Sequence, residues 1–167
     1  MAATARWSLL AKAPWTARSS HCVAITNSGL VAVYGGELKP RTPVDSAAEL
    51  NAKDSAPKGS VHVFDVNVRQ HGKDPILWQT LRPTSSAFQS GVPDPRVGAT
   101  LVSDGDKWYL WGGRGGVDMA PLNKSQAGIW EARMDGDAVE WKRLSAVNED
   151  EAPEQRSFHA TAISKVR

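Results

Sequence analysis

The sequence predicts an all-β chain, and three observations carry that prediction. An apolar run ends in paired glycines twice, as Leu30-Val31-Ala32-Val33-Tyr34-Gly35-Gly36 and as Trp108-Tyr109-Leu110-Trp111-Gly112-Gly113. The form Trp-x-x-Leu occurs at Trp7, Trp78 and Trp141, and an arginine stands before an apolar stretch at Arg18, Arg96 and Arg156. Branched and aromatic side chains suit a pleated surface, and glycine ends such a run because it accepts positive φ and close backbone approach. Recurrence of the same order of features marks a repeat, which outranks any single local signal.

Taken in order, Trp7-Ser8-Leu9-Leu10 reads as a short strand. The first 36 residues lack any acidic side chain and carry Arg6, Lys12 and Arg18, a composition that mimics a mitochondrial presequence. The strand reading is preferred because the later Trp-x-x-Leu copies account for its residues one by one. Arg18-Ser19-Ser20-His21-Cys22-Val23-Ala24-Ile25 opens the first full unit, and Asn27-Ser28-Gly29 turns the chain into the first glycine-ended strand. Residues 37–59 form a long polar connection, a length that marks a binding loop or a disordered insertion. Val61-His62-Val63-Phe64-Asp65-Val66 alternates as a strand, and Ile76-Leu77-Trp78-Gln79-Thr80-Leu81 follows the turn at His71-Gly72-Lys73-Asp74-Pro75.

The second unit repeats this plan. Arg96-Val97-Gly98-Ala99-Thr100-Leu101-Val102 leads through Asp104-Gly105-Asp106 into the strand ending at Gly112-Gly113. A shorter loop, 114–127, precedes Ile129-Trp130-Glu131-Ala132-Arg133-Met134, and Glu140-Trp141-Lys142-Arg143-Leu144 closes the unit. A third begins at Arg156-Ser157-Phe158-His159-Ala160-Thr161-Ala162-Ile163. No segment has the period of a helix. Units of four short strands, repeated at this spacing, predict blades of a β-propeller, which protects its sheet edges by radial closure.

Composition sets the outer bounds. A chain of 167 residues can bury a sizeable core. Its formal charge of +2 gives no basis for a nucleic-acid or membrane-surface partner, and no apolar run approaches the ~18 residues of a membrane span. Cys22 is the single cysteine, so no intrachain disulfide forms, which fits a reducing, cytoplasmic setting. Flanked by apolar residues, it reads as an inert buried thiol.

The order of strand, Gly-Gly, variable loop, aromatic strand with Phe64-Asp65, and downstream Trp resembles the kelch repeat. The arginines lie about 60 to 80 residues apart against a kelch period of about 50, the excess falling in loops. No Trp-Asp dipeptide occurs, so WD40 is a poorer match. Within kelch proteins, Tyr34-Gly35-Gly36-Glu37-Leu38-Lys39-Pro40, Gly112-Gly113-Arg114 and Arg156-Ser157-Phe158-His159 resemble the first three blades of nitrile-specifier and epithiospecifier proteins. The resemblance implies an incomplete kelch-type propeller. Residues 1–17 would be a closing strand and linker, 18–81 blade one with its loop 37–59, 82–144 blade two, and 145–167 the start of blade three. A propeller needs about four to eight blades, so the expectation is the front part of a longer, truncated propeller. The alternative is several copies closing one ring.

The antiparallel order of a blade places Arg18, Ser20 and Glu37 on one rim with Arg96, Arg114, Arg156 and Phe158. Guanidinium groups at such a mouth suit a sulfate, carboxylate or phosphate, whose oxygens they bind in pairs. The recurring Arg18, Arg96 and Arg156 are read as structural, bonding carboxylates or loop carbonyls, because repeat registers serve packing. Arg114 stands where the first unit has Glu37, and the family resemblance implies that Arg114 and Phe158 face a substrate. The candidate ligand-binding residues are therefore Arg114, Phe158 and Glu37, with no catalytic residue and no metal ligand named.

Specifier proteins resemble one another in a ferrous site of the form Glu-x-x-x-Asp-x-x-x-His. Glu131 and Asp135 have the first spacing here, but Val139 stands where the histidine would be. No cofactor is expected of this chain, with Fe2+ reserved for a full-length relative. His21 and His159, at equivalent places, read as packing residues, and His62 and His71 as isolated ones. Two functions follow: an interaction scaffold taking a protein partner on its propeller loops, and a specifier-like protein steering breakdown of a glucosinolate-type aglycone. An inactive truncated product is the third. The preferred expectation is the scaffold, with a small anionic ligand as a further partner.

Overall fold

The computed structural model describes residues 3–7, 9, 12–43, 56–67, 78–86, 91–116, 118–123, 126, 128–145 and 147–164. Eight strands form one sheet that folds back on itself. Its first half holds β1 (Cys22–Ile25) and β2 (Leu30–Tyr34), with β5 (Val61–Asp65) and β6 (Gln79–Pro83). Between them, β3 (Glu37–Lys39) and β4 (Thr42–Pro43) make a small hairpin. The second half holds β7 (Thr100–Asp104), β8 (Lys107–Trp111), β11 (Ile129–Asp135) and β12 (Ala138–Leu144), with a matching hairpin of β9 (Arg114–Gly115) and β10 (Ala120–Pro121). Strand order is β1-β2-β5-β6-β12-β11-β8-β7. Within each half every pairing is antiparallel. Among the described residues the strand pairing between the halves is a two-residue parallel ladder of β6 with β12, and further hydrogen bonds and the shared core also join them.

The period-two pattern decides which face is buried. Cys22, Ala24, Ala32, Tyr34, Val61, Val63 and Leu81 all project to one side of the first half. Leu101, Trp108, Leu110, Trp130, Ala132, Val139 and Trp141 do the same on the second, and the two faces pack into one core. Tyr34 meets Trp141 edge-on at 5.3 Å between ring centroids, while the Trp141 indole N–H donates to Gly59 O at 2.6 Å. Cys22 lies in this core, where burial pushes its thiol up to about 12 and its Sγ–H faces Tyr34 O at 3.4 Å. Its burial agrees with the sequence reading.

The halves are related by a repeated register. Arg18 Nη1 donates to Gly35 O at 3.4 Å, and Arg96 Nη1 to Gly112 O at 3.0 Å. Gly36 N–H donates to Arg96 O at 3.1 Å, and Gly113 N–H to Arg156 O at 2.9 Å. Gly98 N–H donates to Ser20 O at 3.0 Å, and Phe158 N–H to Gly98 O at 2.8 Å. Arg156 and Phe158 therefore meet the second half as Arg96 and Gly98 meet the first, although residues 156–164, unlike β7, pair in no strand among the described residues. The glycine pair has a physical reason at both places: Gly35 and Gly112 hold φ of 66° and 70°. A Cβ on either would fall 2.6–2.7 Å from a carbonyl oxygen of the next unit. This all-β arrangement of packed four-stranded halves is consistent with an incomplete β-propeller.

Three details differ from the expectation. The described residues just after each glycine pair form a hairpin, β3–β4 and β9–β10, which the sequence did not suggest. Ser85, Ser86 and Gln126 take helical backbone and Glu149–Glu151 is a 3-10 turn, where no helix was expected. The Thr84 hydroxyl, 3.0 Å from Ser86 Oγ, and Asn123 Oδ1, which accepts from Gln126 N–H at 3.0 Å, supply short polar starts to these turns. Trp7 and Leu9 are exposed and carry no strand pairing among the described residues. Most of the 37–59 loop, and His71, lie outside the described residues.

Candidate functional site

The rim is built by two bridges in the same register. Ser19 pairs with Glu37 and Val97 with Arg114, each through two backbone hydrogen bonds of 2.9–3.0 Å. Equivalent side chains then part company. Glu37 Oε2 accepts from Arg41 N–H at 2.8 Å and Oε1 from Ser20 Oγ at 3.4 Å, so its carboxylate is engaged inside the first hairpin. Arg114 instead lays its guanidinium over the Phe158 ring, 4.8 Å from the centroid. Its Nε is buried without a hydrogen-bond partner among the described residues.

Phe158 is unusual for a second reason. Its backbone has φ of 57°, left-handed, and its equivalents Ser20 and Gly98 have 57° and 64°. The repeat demands this conformation at each of the three places. Glycine accepts it freely, whereas a bulky aromatic is strained there. The ring nonetheless stays 59% exposed and covers Gly98, whose added Cβ would lie 3.0 Å from it. A strained, exposed aromatic stacked on a half-buried cation is a poor choice for packing alone.

The other arginines are spent on the backbone. Arg96 is 1% exposed and donates to Asp94 O, Gly112 O and Gln126 O at 2.9–3.1 Å. Arg156 Nε reaches Glu154 O at 3.3 Å, and its guanidinium lies 6.0 Å from the Trp111 ring. The structural reading of the recurring arginines thus has a geometry: each donates to a carbonyl, and Arg18 also reaches His62. His159 donates to or accepts from Thr100 Oγ1 at 3.0 Å and stands edge-on to Trp111.

Sequence reasoning missed a second cluster. His62, read as isolated, is 7% exposed on the face of the first half turned away from the core. Trp15 stacks on its ring at 4.0 Å and meets Trp78 edge-on at 4.7 Å, tying the segment ahead of the first unit to β5 and β6. His62 Nε2 lies 3.2 Å from Arg18 Nη2 and Nδ1 lies 2.9 Å from Thr80 Oγ1. Since the guanidinium only donates, Nε2 accepts and Nδ1 carries the proton. Burial first, then the Arg18 charge, pulls the His62 pKa down to about 4. A Trp three residues before Arg18 and an alternating His on the unit's third core strand were the available signals, but nothing local says they meet.

Glu131 is held by Lys107 Nζ at 2.8 Å and Tyr109 OH at 3.2 Å, Asp135 is exposed, and Val139 is buried in β12. Among the described residues no three His, Cys, Asp or Glu side chains converge as metal ligands, so these residues do not fit an iron site. Nor, among them, is any helix long and apolar enough to cross a membrane.

No protein-family model matches the chain. It is 30% identical over 146 residues to an N-(sulfonatooxy)prop-2-enimidothioate sulfolyase of Thlaspi arvense, an alignment covering 86% of this chain and 32% of that protein. The chain thus spans about a third of the length of the curated relative it matches.

Proposed function

We propose that the chain forms the first two blades of a kelch-type propeller and the opening strand of a third, and that Arg114 and Phe158 bind the sulfonate end of a specifier-type substrate. The supporting observation is the Arg114 guanidinium stacked 4.8 Å above a left-handed, exposed Phe158. The relative's name describes a substrate with a sulfonatooxy group on nitrogen, and a planar guanidinium suits two of its oxygens. The ring beneath fixes the plane of the fork and limits the entropy lost on binding. Held there, the guanidinium neutralises negative charge on the sulfonatooxy oxygens. No step is assigned to iron, because the described residues do not build its site.

Titration calorimetry of the full chain with inorganic sulfate tests the reading. Arg114→Ala should weaken sulfate binding about tenfold or more, in line with roughly 1.5–3 kcal/mol for a charged hydrogen-bonded contact. Unchanged affinity removes Arg114 from the site. That result would leave the second reading, a scaffold taking a protein partner on its loops, for which the paired hairpins β3–β4 and β9–β10 are the supporting feature.

A further inference from the structure

A cleft of about 610 Å³ separates the β3–β4 hairpin of the first half from the β9–β10 hairpin of the second. That volume falls in the range of small-molecule sites. Arg41 lies on one wall and Asp118 on the other, with Asp94 also lining it. Arg41 sits at the hairpin turn with φ of 65°, its own N–H held by Glu37 Oε2. Its guanidinium is exposed and has no hydrogen bond or ion pair among the described residues. Asp118 is likewise exposed and without a partner. Asp94 differs, because Lys58 neutralises it. Pro43 and Leu122, both buried, add apolar lining.

The site therefore offers one open cation and one open anion on separate walls, with apolar surface between. A simple anion would meet the Asp118 charge, and a simple cation that of Arg41. We propose that this cleft binds a small zwitterion bearing a carboxylate, an ammonium group and a short apolar side chain, the chemistry of a free α-amino acid. The carboxylate takes the Arg41 fork, the ammonium takes Asp118, and the side chain lies against Pro43 and Leu122. The site is separate from the sulfonate site: Arg114 turns to Phe158, whereas the cleft is lined by later residues of the same hairpin. Either reading can fail without the other.

The test is a 15N-resolved NMR titration of the full chain with three probes of matched side chain: L-leucine, 4-methylpentanoate and 3-methylbutylamine. L-leucine should shift the amides of Gly115 and Gly116 saturably below ~10 mM, with each singly charged analogue binding about tenfold or more weakly. Arg41→Gln and Asp118→Asn, both at exposed positions, should each weaken L-leucine about tenfold while leaving the remaining amide spectrum in place. Absence of saturable shifts, an analogue that binds as well as L-leucine, or variants that bind it unchanged would each overturn the assignment.

Discussion

Arg114 and Glu37 occupy one register position and do opposite things. The carboxylate folds back onto its own hairpin, while the guanidinium reaches across to the next unit and rests on Phe158. Removing the ring should therefore affect binding without dismantling the sheet. Phe158→Ala is expected to weaken sulfate by a few-fold, in keeping with ~0.5–1 kcal/mol for an exposed cation–π contact, and calorimetry beside Arg114→Ala measures it. His62 makes a different prediction. Its folded pKa of about 4 lies below the ordinary 6.5, so between those values the unfolded chain binds more protons and acid favours unfolding. The stabilisation is whole above pH 6.5 and is lost as pH falls toward 4, on the order of 3 kcal/mol. Denaturant midpoints at both pH values should converge for wild type and His62→Gln as acid is added. A constant gap between them would contradict the assignment.

At the scale of elements, the glycine pairs and the core aromatics carry the junction between halves. Gly35→Ala brings a Cβ to 2.6 Å from Arg96 O at a φ of 66°, combining backbone strain with a clash against main chain. A loss of about 2 kcal/mol or more is expected by urea denaturation, well beyond the propensity difference alone. Trp141→Ala should cost ~3–5 kcal/mol by the same measurement, since it empties the core and removes the indole N–H that donates to Gly59 O. Much of this was legible in the sequence. The strands at Leu30 and Trp108 follow from apolar runs stopped by Gly-Gly, that at Val61 from alternation, and those at Trp130 and Trp141 from their place in the repeat. The hairpins after each stop were not legible, because two-residue strands carry too little alternation to register. The stacking of Trp15 on His62 was hidden for another reason: it joins segments far apart in the chain through the fold alone. At the candidate site, the pairing of Arg114 with Phe158 was suggested by resemblance. The strain at Phe158 needed the backbone of its equivalents Ser20 and Gly98 to be seen.

For the whole molecule, each half buries one face and presents another. Val23 and Ile25 are 50% and 52% exposed on the first, and Ile129 is 45% exposed on the second. The chain alone is expected to self-associate through these faces, with an apparent mass by light scattering that rises with concentration. Ile25→Lys should lower that mass; a sharp monomer at all concentrations would contradict the expectation. Behind these predictions lies the repeated register that sets Arg156 and Phe158 against the second half as Arg96 and Gly98 are set against the first. Through-hydrogen-bond NMR couplings on the full chain measure it directly. Correlations from Gly98 N to Ser20 C′ and from Phe158 N to Gly98 C′ are predicted together, and the first without the second would show that the third unit does not continue the pattern.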